Sequence, residues 1–121
     1  IPFVYVRSTA KGHGLTNQIE GDSEAGQKVV VIEDLISTGG SSLKAVEALR
    51  NAGCEVKGLV AIFTYDFDVA KENFKNANCP HETLTNYDFL MEQAIRQEYI
   101  NESDLGSLKE WRSNPSEWKQ N

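Results

Sequence analysis

The residues with most chemical promise are two adjacent acids and a run of small residues: Glu33-Asp34, Leu35-Ile36, then Ser37-Thr38-Gly39-Gly40-Ser41-Ser42. Carboxylates can accept hydrogen bonds from sugar hydroxyls or approach a hard cation. Small residues ahead of a helix let successive backbone N–H groups turn inward, and the hydroxyls of Ser37, Thr38 and Ser41 add donors. Such a nest at a helix N-terminus cradles phosphate by backbone geometry. Glu33 and Asp34 are neighbours, so on an extended backbone their side chains point to opposite sides. One division of labour has Asp34 facing a ligand while Glu33 braces the loop or reaches a metal-bound water. The plainer alternative is two solvated acids at a strand end, followed by a helix cap at Ser41.

Other phosphate loops fit less well. The nucleoside-triphosphatase loop needs a lysine directly after its last glycine, and none follows Gly39-Gly40. The dinucleotide fingerprint needs a third spaced glycine after Gly12 and Gly14, but Asn17 stands there and no helical pattern follows. Cys79 and His81 are close together, yet no further Cys or His lies at zinc-site spacing.

The elements that must position these residues can be read from periodicity. Val29-Val30-Val31-Ile32 is a continuous β-branched run, which predicts a strand buried on both faces of a parallel sheet and ending at Glu33-Asp34. After a crossing at 35–40 comes a helix with Leu43, Val46 and Leu49 inward, Ala45, Ala48 and Ala52 on its flanks, and Gly53 as its C-terminal stop. Residues 56–63 form a second apolar strand, completing a βαβ unit. In an open parallel sheet, ligands bind beyond the carboxyl ends of the strands, where the acids and the small-residue loop fall.

Upstream, residues 3–7 predict a strand and Gln18-Ile19-Glu20 a short strand returning beside it. The glycine-containing stretch 8–27 lacks periodicity, which suits a functional loop. Downstream, a helix over 67–77 would place Val69, Ala70, Phe74 and Ala77 on one side, and residues 81–84 a short strand. A helix over 87–97 would bury Leu90, Met91, Ala94 and Ile95. A last helix over 103–112 would present Leu105, Leu108 and Trp111, with Trp118 packing back. The whole chain, 1–121, reads as one α/β domain with a mostly parallel, Rossmann-like sheet flanked by helices. It opens on Ile1 and enters a strand almost at once, so upstream elements are expected to be missing.

Composition sets the limits. The chain has 121 residues, 40 % hydrophobic and 25 % charged, an ordinary globular balance. Lys plus Arg number 12 against 18 Asp plus Glu, a net charge of -6, and no basic stripe exists, which opposes nucleic-acid binding. An anionic small molecule remains compatible, since a helix N-terminus and a few placed cations suffice. No apolar run approaches the roughly 20 residues of a membrane span, and no signal-like segment is present. Cys54 and Cys79 have no framework spacing and are expected to be reduced thiols, in keeping with a cytoplasmic protein.

The run from Val29 to Ser41, with four apolar residues, two acids, two apolar residues and a hydroxyl- and glycine-rich loop, resembles the phosphoribosyl-pyrophosphate motif of type I phosphoribosyltransferases. Tyr5-Val6-Arg7-Ser8-Thr9-Ala10-Lys11-Gly12-His13-Gly14 and Asn17-Gln18-Ile19-Glu20-Gly21 are similar to the catalytic loop of the orotate-specific branch, in its Gram-positive bacterial form. Leu84-Thr85-Asn86-Tyr87-Asp88 and Glu110-Trp111-Arg112-Ser113-Asn114-Pro115-Ser116-Glu117-Trp118 resemble its C-terminal region, so the resemblance spans the chain.

The resemblance implies that Ser37, Thr38, Gly39, Gly40 and Ser41 bind the 5-phosphate and that Glu33 and Asp34 lie by the ribose 2- and 3-hydroxyls. It implies that Arg7, Lys11 and His13 meet the pyrophosphate, with Lys11, His13 and Asp34 as catalytic residues. It further implies Mg2+ held through the substrate rather than directly by the protein, with water as the link to Glu33 or Asp34, and a homodimer whose catalytic loop is shared across the interface. The family's N-terminal hood would be absent, leaving the chain inactive alone. A purine-specific relative, or a non-catalytic regulator that binds the same donor, is the alternative. Two positions depart from the pattern: Ser8 stands where many members have a second basic residue, and Phe63-Thr64-Tyr65-Asp66 lacks the arginine that some use for the base carboxylate. Backbone N–H groups near Thr64, or upstream residues, would then take that carboxylate.

Overall fold

The computed structural model describes residues 1–8 and 18–118. In chain order its elements are β1 (Tyr5–Val6), β2 (Ile19–Glu20), β3 (Lys28–Ile36), α1 (Gly40–Asn51), β4 (Glu55–Thr64), α2 (Asp68–Asn76), β5 (His81–Asn86), α3 (Tyr87–Arg96) and α4 (Glu102–Ser113). β1 and β2 pair antiparallel, Tyr5 with Glu20 and Val6 with Ile19, as the return at Gln18-Ile19-Glu20 predicts. β3, β4 and β5 form a parallel sheet in that order, so the architecture is the expected Rossmann-like α/β type.

The sheet core follows from side-chain alternation. Val31, Leu59 and Ala61 join Val46 and Leu49 of α1 and Ala70 and Phe74 of α2 in one buried cluster. α1 stops where Gly53 turns to a φ of 89°, with the Gly53 and Cys54 N–H groups donating to Arg50 O at 2.9 Å and Leu49 O at 3.0 Å. Only glycine takes that left-handed turn at little cost, which is why the helix ends there. Asn86 caps α3, its Oδ1 accepting from Phe89 N at 3.0 Å. Asn101 and Asp104 form a capping box on α4.

Three expectations need correction. β3 does not end at Glu33-Asp34 but runs to Ile36, because Leu35 and Ile36 still pair with Phe63 and Thr64 of β4. The acids therefore sit inside the strand. Nor is β3 buried on both faces: Ile32 is 74 % exposed, and Val30, Ile62 and Leu84 are exposed with it. The core cluster recruits α1 and α2 to the Val31 face, leaving the opposite side open among the described residues. Val69 and Leu90, expected to face inward, are also exposed, because α2 turns Ala70 and Phe74 to the core and α3 turns Tyr87 and Met91. Leu105, Leu108, Trp111 and Trp118 are half-buried. Cys54 and Cys79 are buried free thiols.

Candidate functional site

The small-residue loop hangs between two anchors. On one side Ile36 is 1 % exposed and its carbonyl accepts from Tyr65 N at 3.2 Å, tying the end of β3 to the chain leaving β4. On the other, α1 begins at Gly40, with the Leu43 N–H donating to Gly39 O at 2.9 Å. Gly39 occupies the N-cap with a φ of 83°, and a Cβ there would stand 2.7 Å from Phe74 Cε2. Backbone conformation and space thus both demand glycine at this position.

No side chain caps α1. Ser41 lies within the first turn, so the reading of Ser41 as a helix cap is not what the loop does. The Gly40 N–H reaches Thr38 Oγ1 only at 3.3 Å. Among the described residues, the N–H groups of Gly39, Ser41 and Ser42 meet no protein acceptor. Orphan donors at a helix start, beside the exposed hydroxyl-bearing residues Ser37, Thr38 and Ser41, suit an anion with several oxygens.

The acids do point apart, as alternation requires. Glu33 is half-buried on the Val31 face, opposite Ala61. Asp34 is exposed on the other face, and its Oδ1 accepts from the Leu35 N–H at 2.7 Å. Among the described residues no group of three or more His, Cys, Asp and Glu side chains is placed to hold a metal. One or two carboxylates are, however, what Mg2+ asks of a protein when phosphate and hydroxyl oxygens supply most of its ligands.

The cationic side is less complete. Arg7 forms an ion pair with Glu20 across the β1–β2 hairpin, with both side chains substantially exposed. Lys11 and His13 lie outside the described residues. Strand, loop and helix thus place Glu33, Asp34 and residues 37–41 in one continuous stretch with the two acids on opposite faces, while Arg7 follows β1 in a separate two-stranded sheet whose Val6 and Ile19 pack against the core cluster.

Beyond β4, two of the backbone N–H groups near Thr64 already have protein acceptors. Tyr65 N donates to Ile36 O and Asp66 N to Thr64 Oγ1 at 3.0 Å, with Asp66 at a φ of 57°. Tyr65 instead stacks on Phe67 with ring centres 5.2 Å apart and meets Trp111 edge-on at 5.4 Å. Tyr87 joins this cluster and donates its hydroxyl to Leu108 O at 3.3 Å. Burial pushes the Tyr87 hydroxyl pKa up; Arg112 opposes the shift and Tyr65 adds to it.

Two residues that sequence reasoning missed touch the loop directly. Asn73 Nδ2 donates to Thr38 O at 3.0 Å, and Phe74 packs beneath Gly39. Phe74 is readable as a core residue, but nothing local marks Asn73.

Residues 1–92 match the family model described as the phosphoribosyl transferase domain. Orotate phosphoribosyltransferase from Bacteroides thetaiotaomicron is 61 % identical over 118 residues, covering 98 % of this chain and 56 % of the relative. The chain thus spans little more than half the length of that relative. Leishmania donovani UMP synthase superposes with a TM-score of 0.75 at 28 % identity, over 93 % of this chain and 24 % of that one. Mycobacterium tuberculosis orotate phosphoribosyltransferase in complex with 5-phospho-alpha-D-ribosyl 1-diphosphate gives 0.60 at 29 % identity, over 70 % and 47 %. The small-residue loop between β3 and α1 falls within the matched residues, and the chain belongs to the phosphoribosyltransferase family.

Proposed function

We propose that this chain supplies the sugar-phosphate half of an orotate phosphoribosyltransferase, which joins N1 of orotate to C1 of phosphoribosyl pyrophosphate and releases pyrophosphate, giving orotidine 5'-monophosphate. The observation that carries the reading is the set of N–H groups at Gly39, Ser41 and Ser42 without protein acceptors, following Glu33-Asp34 on a strand that leads into a helix. The 5-phosphate enters the nest. Asp34 on the exposed face receives the ribose hydroxyls and favours the positive charge that grows on the ring as the C1–oxygen bond weakens, while Glu33 on the opposite face braces the loop or reaches a metal-bound water. Arg7, Lys11 and His13 meet the negative charge growing on the departing pyrophosphate. Catalysis of this kind is stabilisation of charge where it develops, and orotate, already an anion, needs no strong protein base.

Mg2+ would be held chiefly by substrate oxygens, with Glu33 or Asp34 reaching it through water, and would neutralise charge on the pyrophosphate. The reading carries a two-fold homodimer in which the loop bearing Lys11 crosses to the other subunit. It also carries a cytoplasmic setting, supported by two buried, unpaired thiols. The net charge of -6 argues against nucleic acid as partner, and no helix among the described residues is long and apolar enough to cross a membrane.

The test is a graft in which this chain replaces the matching stretch of the Bacteroides thetaiotaomicron relative. Orotidylate formation with no turnover of adenine, guanine or hypoxanthine is expected. Donor binding without turnover would favour a regulator, and turnover of a purine would move the chain to a purine-specific branch.

A further inference from the structure

We propose that Asn73 of α2 is a positioning residue for the donor's 5-phosphate, acting by aiming the Gly39 N–H into the nest. The inference rests on the phosphate reading of residues 37–42 and adds a residue outside that loop.

The peptide unit is planar, and in its trans form the carbonyl of one residue and the N–H of the next point in opposite directions. Asn73 Nδ2 donates to Thr38 O at 3.0 Å, which draws that carbonyl towards α2. The N–H of the same peptide belongs to Gly39 and must then point away from α2. Among the described residues that N–H has no acceptor. If the peptide flipped, the nest would present an oxygen where a phosphate oxygen is to sit.

Gly39 is held from below as well. The Phe74 ring, next in sequence to Asn73, is 1 % exposed, and it lies so close beneath Gly39 that a Cβ would come within 2.7 Å of Cε2. Phe74 in turn stacks on His81 of β5 with ring centres 4.3 Å apart. Consecutive residues of one helix thus perform separate tasks, Phe74 fixing the height of the loop and Asn73 the orientation of its peptide. Asn73 is only half-buried, so its amide is not needed to complete the core. That separation makes the orienting role testable.

The experiment is a titration of this chain with inorganic phosphate, followed by 15N–1H NMR, for the parent, Asn73→Leu and Asn73→Asp. The parent's amides at residues 38–42 should shift on titration. Both variants should keep a dispersed spectrum and bind about three- to tenfold more weakly, the effect of losing one orienting hydrogen bond, with the Gly39 amide losing most of its response. Asn73→Asp lacks the donor without adding an apolar surface but brings a negative charge that itself weakens anion binding, so if Asn73→Leu loses its fold the response of the Gly39 amide relative to its neighbours, rather than the affinity, decides the matter. In the grafted enzyme the same variants should raise KM for phosphoribosyl pyrophosphate more than they lower kcat. Variants that bind phosphate as the parent does, with an unchanged Gly39 response, would overturn the inference while leaving the phosphate reading intact. A parent whose loop amides ignore phosphate would overturn both.

Discussion

The two sides of the candidate site are built differently. The proposed anion-binding side is continuous with the core: Ile36, 1 % exposed, ends β3, Gly39 rests on Phe74, and Ser42 is 1 % exposed in the first turn of α1. The side carrying Arg7 begins on a hairpin of two two-residue strands whose Val6 and Ile19 are only partly buried against the core cluster, and Arg7 is tied to Glu20 by an exposed ion pair. Exposed pairs of this kind are worth about 0–1 kcal/mol, whereas buried packing at a single side chain is worth several times that. A phosphate that stays with the sugar throughout the reaction calls for a fixed cradle. A pyrophosphate that must leave calls for cations that can withdraw. In the proposed reaction the difference in anchoring would match the difference in task, and it predicts that damage to the two sides will separate stability from turnover.

The largest expected effect is on the cation-bearing side. In the grafted enzyme, Lys11→Ala should lower kcat by about two to four powers of ten, the scale of a group acting on transition-state charge, with no change in melting temperature. Asp34→Asn should also be poor. If the loop crosses a two-fold interface, co-refolding the two variants should return about a quarter of the wild-type sites, because half the dimers are mixed and each holds one complete site. Turnover after mixing, with subunit exchange confirmed by mass spectrometry, tests this. Exchange without recovered activity would leave the loop acting on its own subunit.

On the anchored side, Gly39→Val should damage fold and binding together. A β-branched residue at a φ of 83° is strained, and its Cβ would meet Phe74 at 2.7 Å. Left-handed strain and overpacking together should cost about 2–4 kcal/mol in denaturant unfolding, with phosphate binding abolished. Thr38→Ser keeps the hydroxyl that the Gly40 N–H approaches and should be mild in both measurements. A Gly39→Val chain as stable as its parent would show that the loop is not anchored.

How far this contrast could be read in the sequence depends on the range of each interaction. Strand, small-residue loop and helix at 29–53 are spelled out locally, by β-branched run, helical period and Gly53, and they form in the order read. The pairing of β1 with β2 is equally visible. The end of β3 is not, because Leu35 and Ile36 stay in the strand only through their partners Phe63 and Thr64. A run such as Val29-Val30-Val31-Ile32 has no polar alternation, so it cannot say that one face will lack cover. Asn73 reaches Thr38 across 35 positions, and no local pattern encodes such a contact. The roles of Lys11 and His13 rest on resemblance alone.

A smaller effect probes the anchored side from within its core. Cys79 is 4 % exposed and shares a cluster with Phe74. Burial pushes its thiol pKa up, with Arg50 opposing. The folded state therefore holds this proton to higher pH than the unfolded chain does. Its contribution to stability is intact below the unfolded thiol pKa, about 8.5, and is lost as pH rises beyond it, at no more than about 1.4 kcal/mol per pH unit. Urea unfolding of the parent and of Cys79→Ala between pH 7 and 9.5 should give the steeper loss in the parent. Parallel slopes would mean that the thiol is reached by solvent and that the core beneath Gly39 opens readily.

The smallest expected effect returns to the hairpin. Glu20→Gln removes the carboxylate that Arg7 holds, and the exposed setting predicts a loss of stability under about 1 kcal/mol. The consequence for binding should run the other way. If Arg7 serves the pyrophosphate, its guanidinium must loosen from Glu20 whenever the donor binds, and that competition weakens the donor. Freed of it, the grafted Glu20→Gln enzyme should bind phosphoribosyl pyrophosphate up to about fivefold more tightly, the most that an exposed pair can withhold. Arg7→Gln in the same background should reverse the gain. The gain should also shrink with added salt, because screening already weakens the exposed pair in the parent. Initial rates across donor concentrations at two ionic strengths measure all three effects. A KM that rises on Glu20→Gln would show the opposite relation: Glu20 would be holding Arg7 in its working position, and the geometry of the hairpin would matter to binding as much as that of the loop on α1.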